Sequence, residues 1–390
     1  MNKLPVGSGT SSLDDAAAAG AQAAGAALAA LDGASPGLVI VYASIRYDLS
    51  ELLAGVRGIT GDTPLVGAST SGQFTDGEYL PPGTSVSVMV LGAGHYRFGT
   101  AAVTGMGADA LAAGRDLARN AVEAAGEPSP HSALLVLADG VTGDMQQLLN
   151  GIYRVTGARV PVLGGAAGDD RTFTGSSVLH GGDVLRNAAV AVCIGSDRPL
   201  RVVAAHGWRS QDLPMMVTSV DGLIVDEIDG RAAIEVFNEV VEKDKRARRQ
   251  YLGAAWDASK GSHALGLIEP DGTQLVRAVV EGEDGKLRTF TPLPEYCAVQ
   301  IVSASQDELL DVSDQVVEDA LRDVPAPAVM LMFSCIGRID ILDDRAPEEP
   351  ARLHKAAGDV ATFGFYTYGE FARTTGVAGY HNATIAALAL

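Results

Sequence analysis

Apolar and polar runs alternate along the chain in one order that recurs three times. Residues 14–31, 108–125 and 308–322 each show the spacing of a helix with one apolar face. Each is followed by a short apolar strand that ends in a polar loop: LVIVYASIRYD (38–48), LLVLADGVTGD (134–144) and VMLMFSCIGRID (329–340). A second helix comes next, then a second strand that runs into a glycine-rich turn: PLVGASTSGQF (64–74), PVLGGAAGDDR (161–171) and TFGFYTYGEF (362–371). A closing apolar strand completes each unit, VSVMVL (86–91), AVAVCI (189–194) and TIAALAL (384–390). The turns align on Gly72-Gln73, Gly168-Asp169 and Gly369-Glu370, where glycine suits a positive φ or a close backbone approach.

The pattern changes between the second and third units. Residues 217–230 read as two strands around an Asp221-Gly222 turn, and 231–249 as a charged amphipathic helix. Short β-type runs follow at 263–268, 275–280 and 298–302, with Asp271-Gly272 as a second hairpin turn. The expected fold is α/β, with two lobes built from three repeated α-β-α-β-β units on mixed sheets, and antiparallel hairpins in the C-terminal lobe. Residues 1–36 are expected to form a helix packed on the first lobe, opened by Ser12 as N-cap with Asp15 three residues on. The two α/β domains are expected over 37–228 and 229–390.

Composition narrows the function classes. The 390 residues carry 48 Asp and Glu against 29 Lys and Arg, a net charge of −19 that argues against nucleic acid or an anionic membrane as partner. The basic run Lys243, Lys245, Arg246, Arg248 and Arg249 is interleaved with Glu242 and Asp244 and reads as a solvated helix end. The Ala-rich stretch 16–31 is too weakly apolar and too short for an anchor. Cys193, Cys297 and Cys335 are widely spaced, which supports neither a disulfide framework nor a zinc site and suggests a cytoplasmic protein.

The motifs GLVIVYASIRYD…TPLVGASTSGQF, VPVLGGAAGDD, VDEIDGRAAIEVF, FSCIGR and GFYTYGEF…HNATIAALAL, in this order, resemble the FIST family in its N-terminal plus C-terminal domain arrangement. The resemblance implies a sensory module that binds small ligands such as amino acids. It also implies that haem is a possible cofactor, since some members are haemoproteins reporting nitric oxide to a partner kinase or cyclase. No F-box, kinase, cyclase or helix-turn-helix segment is visible in this sequence, so output is expected to pass to a separate signalling protein.

Candidate chemistry gathers at the strand-end loops. The first unit offers Ser44, Arg46, Ser69, Thr70 and Ser71, and the second offers Asp139, Thr142, Asp144 and Asp169. The third offers Ser334, Cys335, Arg338, Tyr366, Tyr368 and Glu370. Arg46 or Arg338 is suited to clamp a carboxylate, and Asp169 or Glu370 to meet an ammonium group. The same Ser, Thr and Asp residues also suit turn and capping roles. An enzyme using Cys335 as nucleophile, with Arg338 nearby, or Tyr366 and Glu370 as an acid–base pair is a separate alternative. Seven dispersed histidines show no metal-ligand spacing; for a haem, His206 and His381 are the axial candidates, each beside an apolar run. Adjacent Asp169 and Asp170 point apart and cannot flank one bond, and the glycine-rich loops lack nucleotide-cradle spacing.

Overall fold

The computed structural model describes residues 3–252, 261–373 and 379–390. The class is mixed α/β in two lobes, with the three units each centred on a six-stranded sheet of one strand order. The first sheet runs Val6–Ser11, Val86–Gly92, Pro36–Ala43, Leu65–Ser69, then the hairpin Val178–His180 and Asp183–Leu185. The second runs Arg97–Thr104, Ala188–Ser196, His131–Ala138, Val162–Ala166, then Glu370–Arg373 and Tyr380–His381. The third runs Val202–Ala205, Ile385–Ala389, Val329–Cys335, Ala361–Thr367, then Gln73–Thr75 and Glu78–Leu80. Each unit therefore lends its hairpin to the sheet of another, in a closed cycle.

Equivalent glycines mark the repeat at atomic scale. Gly67, Gly164 and Gly364 each sit opposite the preceding parallel strand, at Val41, Val136 and Met332. A Cβ there would lie 2.3, 1.8 and 2.3 Å from those residues' carbonyl oxygens, so no side chain fits. At the aligned turns, only Gly72 has a positive φ, of 99°. Gly168 and Gly369 instead allow close approach, since a Cβ would lie 2.4 Å from Ser71 Oγ and from the Tyr380 ring.

The edge strands Val6–Ser11, Arg97–Thr104 and Val202–Ala205 open the three units; small and polar residues dilute the alternation of the first two in sequence, and the third is only four residues long. The helix expected from Ser12 is instead capped by Asp15, whose Oδ1 accepts from Ala18 N–H at 2.7 Å, and it spans Ala16–Ala29. Its small residues serve close helix packing: Gly20 faces the Leu52 carbonyl and Gly55 the Ala17 carbonyl, with no room for a Cβ at either. Among the described residues no helix is long and apolar enough to cross a membrane.

The foreseen hairpins belong to a nine-stranded antiparallel sheet, inserted between the third unit's edge strand Val202–Ala205 and its helix Gln306–Leu321. Gly222 and Gly272 turn two of the hairpins with φ of 59° and 84°. Val217, Leu265 and Ile301 pack this sheet on the helix Ala233–Leu252 through Val236 and Val240. Ser305 and Glu308 form a reciprocal capping box that starts the Gln306–Leu321 helix. The last strand, Ile385–Ala389, lies buried between two others, as the closing strands of the other units do.

Candidate functional site

The strand-end residues of the first two units do converge, and they are bonded to one another. Ser69 Oγ donates to the Gly168 carbonyl at 2.6 Å and accepts from Ser177 N–H at 2.8 Å. Ser44 Oγ donates to Asp170 at 2.6 Å, and the same carboxylate accepts from Ile45 and Gly83 N–H. Thr70 Oγ1 donates to Gln73 Oε1 at 2.6 Å, while Ser71 Oγ accepts from Arg171 N–H. Arg46 is turned away onto the carbonyls of Ser12 and Leu13. Asp139 accepts from Ser176 Oγ and from Val141 and Asn187 N–H, and Asp144 caps the helix Met145–Thr156.

Asp169 is the centre of this network. It accepts from the N–H groups of Phe173, Thr174 and Gly175 and from the hydroxyls of Thr172 and Tyr368. Burial raises its pKa, but the bonds from Gly175, Tyr368, Phe173 and Thr172 outweigh that and bring it below the usual carboxylate range. The carboxylate holds a loop in which Asp170, Arg171 and Phe173 have φ of 52°, 70° and 53°. Phe173 stacks on Tyr368 with ring centroids 4.5 Å apart. No oxygen of Asp169 is left over for an ammonium group.

The third unit's candidates are sealed in. Arg338, expected to clamp a ligand carboxylate, is fully buried and bonds Glu349 from Nε at 2.8 Å and from Nη2 at 2.6 Å. Its remaining donors reach the carbonyls of Leu309 and His206. It is thus a core ion pair, with Ser334 Oγ donating to the other Glu349 oxygen at 2.7 Å. Cys335 is buried, and burial together with Glu370 pushes its thiol far up, which removes the thiolate that a nucleophile needs. Tyr366 and Glu370 are both fully buried and do not form an acid–base pair: Tyr366 packs on Phe74 and Tyr79, whereas Glu370 accepts from Thr367 Oγ1 and Thr384 N–H. Burial raises Glu370 to about 8.

Beside these residues lies a cavity of about 530 Å³, in the range that holds small molecules. It opens between the end of Val202–Ala205, the turn after Gly261–Ile268, the helix Gln306–Leu321 and the strand Tyr380–His381. His206 and His381, picked from sequence only as haem candidates, both line it. Trp208 N–H donates to His206 Nδ1 at 2.9 Å, and His381 Nε2 bonds the Ala372 carbonyl at 2.7 Å. Burial lowers both to about 4, aided by Arg338 for His206 and by Arg277 and His206 for His381, so both rings are neutral at pH 7.

Three carboxylates, Glu269, Glu308 and Asp311, line the cavity against one guanidinium, Arg209. Arg209 bonds Glu308 at 3.0 Å, and Asp311 meets Arg352 at 3.1 Å. Among the described residues the Glu269 side chain makes no hydrogen bond and no ion pair, although the buried Arg277 guanidinium acts on it through space. Sequence reading missed Glu269, Arg209 and Trp208, whose only local signals are a hairpin turn and an apolar run. A neutral imidazole suits a haem iron, but this lining sets three carboxylates among its apolar residues Trp208, Leu275 and Val312. It also offers the propionates no cation that is not already paired, so the residues present do not fit a haem.

The first relative compared is the uncharacterized protein MJ1623 of Methanocaldococcus jannaschii. It is 23% identical over 53% of this chain, which spans only 41% of that protein's length. The uncharacterized protein MT0656 of Mycobacterium tuberculosis is 23% identical over 98% of both chains. A crystal structure of a cyanuric acid hydrolase from A. caulinodans covers 99% of both chains at 12% identity, with a TM-score of 0.37 that is too low to bear on fold or activity. Residues 37–231 match the FIST N domain and residues 233–373 the FIST C domain. Domains of this kind are sensory, ligand-binding signalling domains. The chain belongs to the FIST family.

Proposed function

We propose that this FIST protein is a cytoplasmic sensor that holds a small neutral or cationic metabolite in the cavity lined by His206, His381 and Glu269. One observation carries this reading. The strand-end clusters of the first two units complete their own hydrogen bonds, whereas among the described residues this cavity keeps a carboxylate without a hydrogen bond or ion pair and two imidazoles with one open nitrogen each. An anionic ligand is disfavoured by the surplus of carboxylates. The cysteines Cys193, Cys297 and Cys335 are unpaired, as suits a reducing compartment.

Occupancy would reach the core by short paths. His206 carries the carbonyl that Arg338 bonds, and Thr384, also at the cavity wall, donates its N–H to Glu370. A ligand that moves either residue shifts a buried ion pair or a buried carboxyl, and a separate signalling protein reads the change at the surface. The test is a thermal-shift and calorimetric panel of small metabolites on the full chain, repeated on Ala205→Trp, which fills the cavity. Binding that disappears in Ala205→Trp, with the melting midpoint kept within a few degrees, supports the reading. Binding that survives in that variant rejects this cavity as the site. A Soret band in the purified protein would overturn the exclusion of haem.

A further inference from the structure

The open atoms of the cavity have fixed and opposite hydrogen-bond roles. His206 accepts at Nδ1 from Trp208 N–H, which assigns its ring proton to Nε2 and leaves that nitrogen a donor. His381 donates from Nε2 to the Ala372 carbonyl, which leaves its Nδ1 an acceptor. Neither open nitrogen has a protein partner among the described residues, and neither is sealed from solvent. The two rings lie within electrostatic reach of each other. Together they present one donor and one acceptor to the same cavity.

A neutral carboxamide matches that pair: its carbonyl accepts from His206 Nε2–H and its N–H donates to His381 Nδ1. A carboxylate satisfies only the donor and sets its own lone pairs against Nδ1. In the same lining, the partly buried Glu269 carboxylate has no hydrogen bond or ion pair of its own among the described residues and feels the buried Arg277 only through space, so a protonated amine can bond it directly. We propose that the cavity binds small molecules bearing a protonated amine and a neutral carboxamide, with His206 and His381 reading the amide and Glu269 the amine. This inference rests on the cavity being the ligand site.

The probes are the ω-amino amides from glycinamide to 6-aminohexanamide. Each is compared by calorimetry on the full chain with its matching amino acid and with the plain amide lacking the amine. The best amino amide is expected to bind about tenfold or more tightly than either comparator, because each comparator leaves one buried polar group unmatched. Glu269→Gln should erase the preference over the plain amide and keep the preference over the acid. His206→Ala or His381→Ala should do the reverse. An amino acid that binds as well as its amide, in a manner still lost in Ala205→Trp, overturns the ligand class and leaves the cavity standing. Amino-amide binding unchanged in Ala205→Trp overturns the cavity itself. Failure of every amino amide to bind, while some panel metabolite binds and is lost in Ala205→Trp, also overturns the inference.

Discussion

The strand ends of the first two units and the cavity beside the third hold the same kinds of residue, yet they end differently. Around Asp169 and Asp170 every carboxylate oxygen accepts from a backbone N–H or hydroxyl, and the loop is held in left-handed conformations by those bonds. Around His206 and His381 each ring uses one nitrogen for the fold and leaves the other open. Polar density does not distinguish a site from a scaffold. What separates them is whether donors and acceptors remain once the fold has taken its share.

The largest test of that contrast concerns Arg338. If it belongs to the scaffold, Glu349→Ala leaves a buried guanidinium unpaired and should cost about 3–5 kcal/mol in chemical denaturation. A loss below about 1 kcal/mol would return Arg338 to the list of ligand clamps. Next, Asp169→Ala orphans three N–H groups and two hydroxyls and should cost about 2–3 kcal/mol. Because the folded carboxyl titrates below its ordinary range, its contribution is complete above the unfolded pKa and is lost as pH falls through the folded one. The acid limb of the wild-type stability curve should therefore flatten in Asp169→Ala, as read by urea melts across that range.

The opposite pH dependence is expected at Glu370. The folded state keeps this proton up to about pH 8, whereas the unfolded carboxyl releases it near pH 4, so stability falls as pH rises across that window. Glu370→Gln should remove the decline, so that its advantage over the wild type grows as pH rises towards 8. The first unit already contains this solution: Gln73 accepts from Thr70 Oγ1 as Glu370 does from Thr367 Oγ1. The smallest change in stability belongs to His206→Ala and His381→Ala, about 1 kcal/mol or less near pH 7.5. Their folded pKa of about 4 lies below the unfolded value near 6.5, so wild-type stability should drop as pH falls from 6.5 to 4, and less so in the variants. A large loss at pH 7.5 would place the two rings in the scaffold after all.

The repeat was legible because first, second and closing strands are buried runs whose composition is set locally. The closing strand 384–390 could be matched to its two counterparts by apolarity alone. The first two edge strands were hidden by serine, threonine and glycine and the third by its length of four residues, and the exchange of hairpins was hidden because pairing partners lie far apart in sequence, as Gly364 and Phe74 do. At the site, His206 and His381 were visible as residues, but the role of Arg338 was not. Its partner Glu349 lies on a different helix, and only the packed structure shows that the two are buried together.

The borrowed hairpins make the cavity wall a shared wall. His381 belongs to the strand pair Glu370–Arg373 and Tyr380–His381, whose other edge is bonded to Val162–Ala166 in the second unit. Thr384, on the same cavity, leads into the strand Ile385–Ala389 of the third unit's own sheet. A molecule wedged between them pushes on two sheets at once, one rooted in each half of the chain. On the proposed reading the hairpin would work as a lever whose fulcrum is the crossing from one sheet to the other, and occupancy of the cavity would be felt in the N-terminal half.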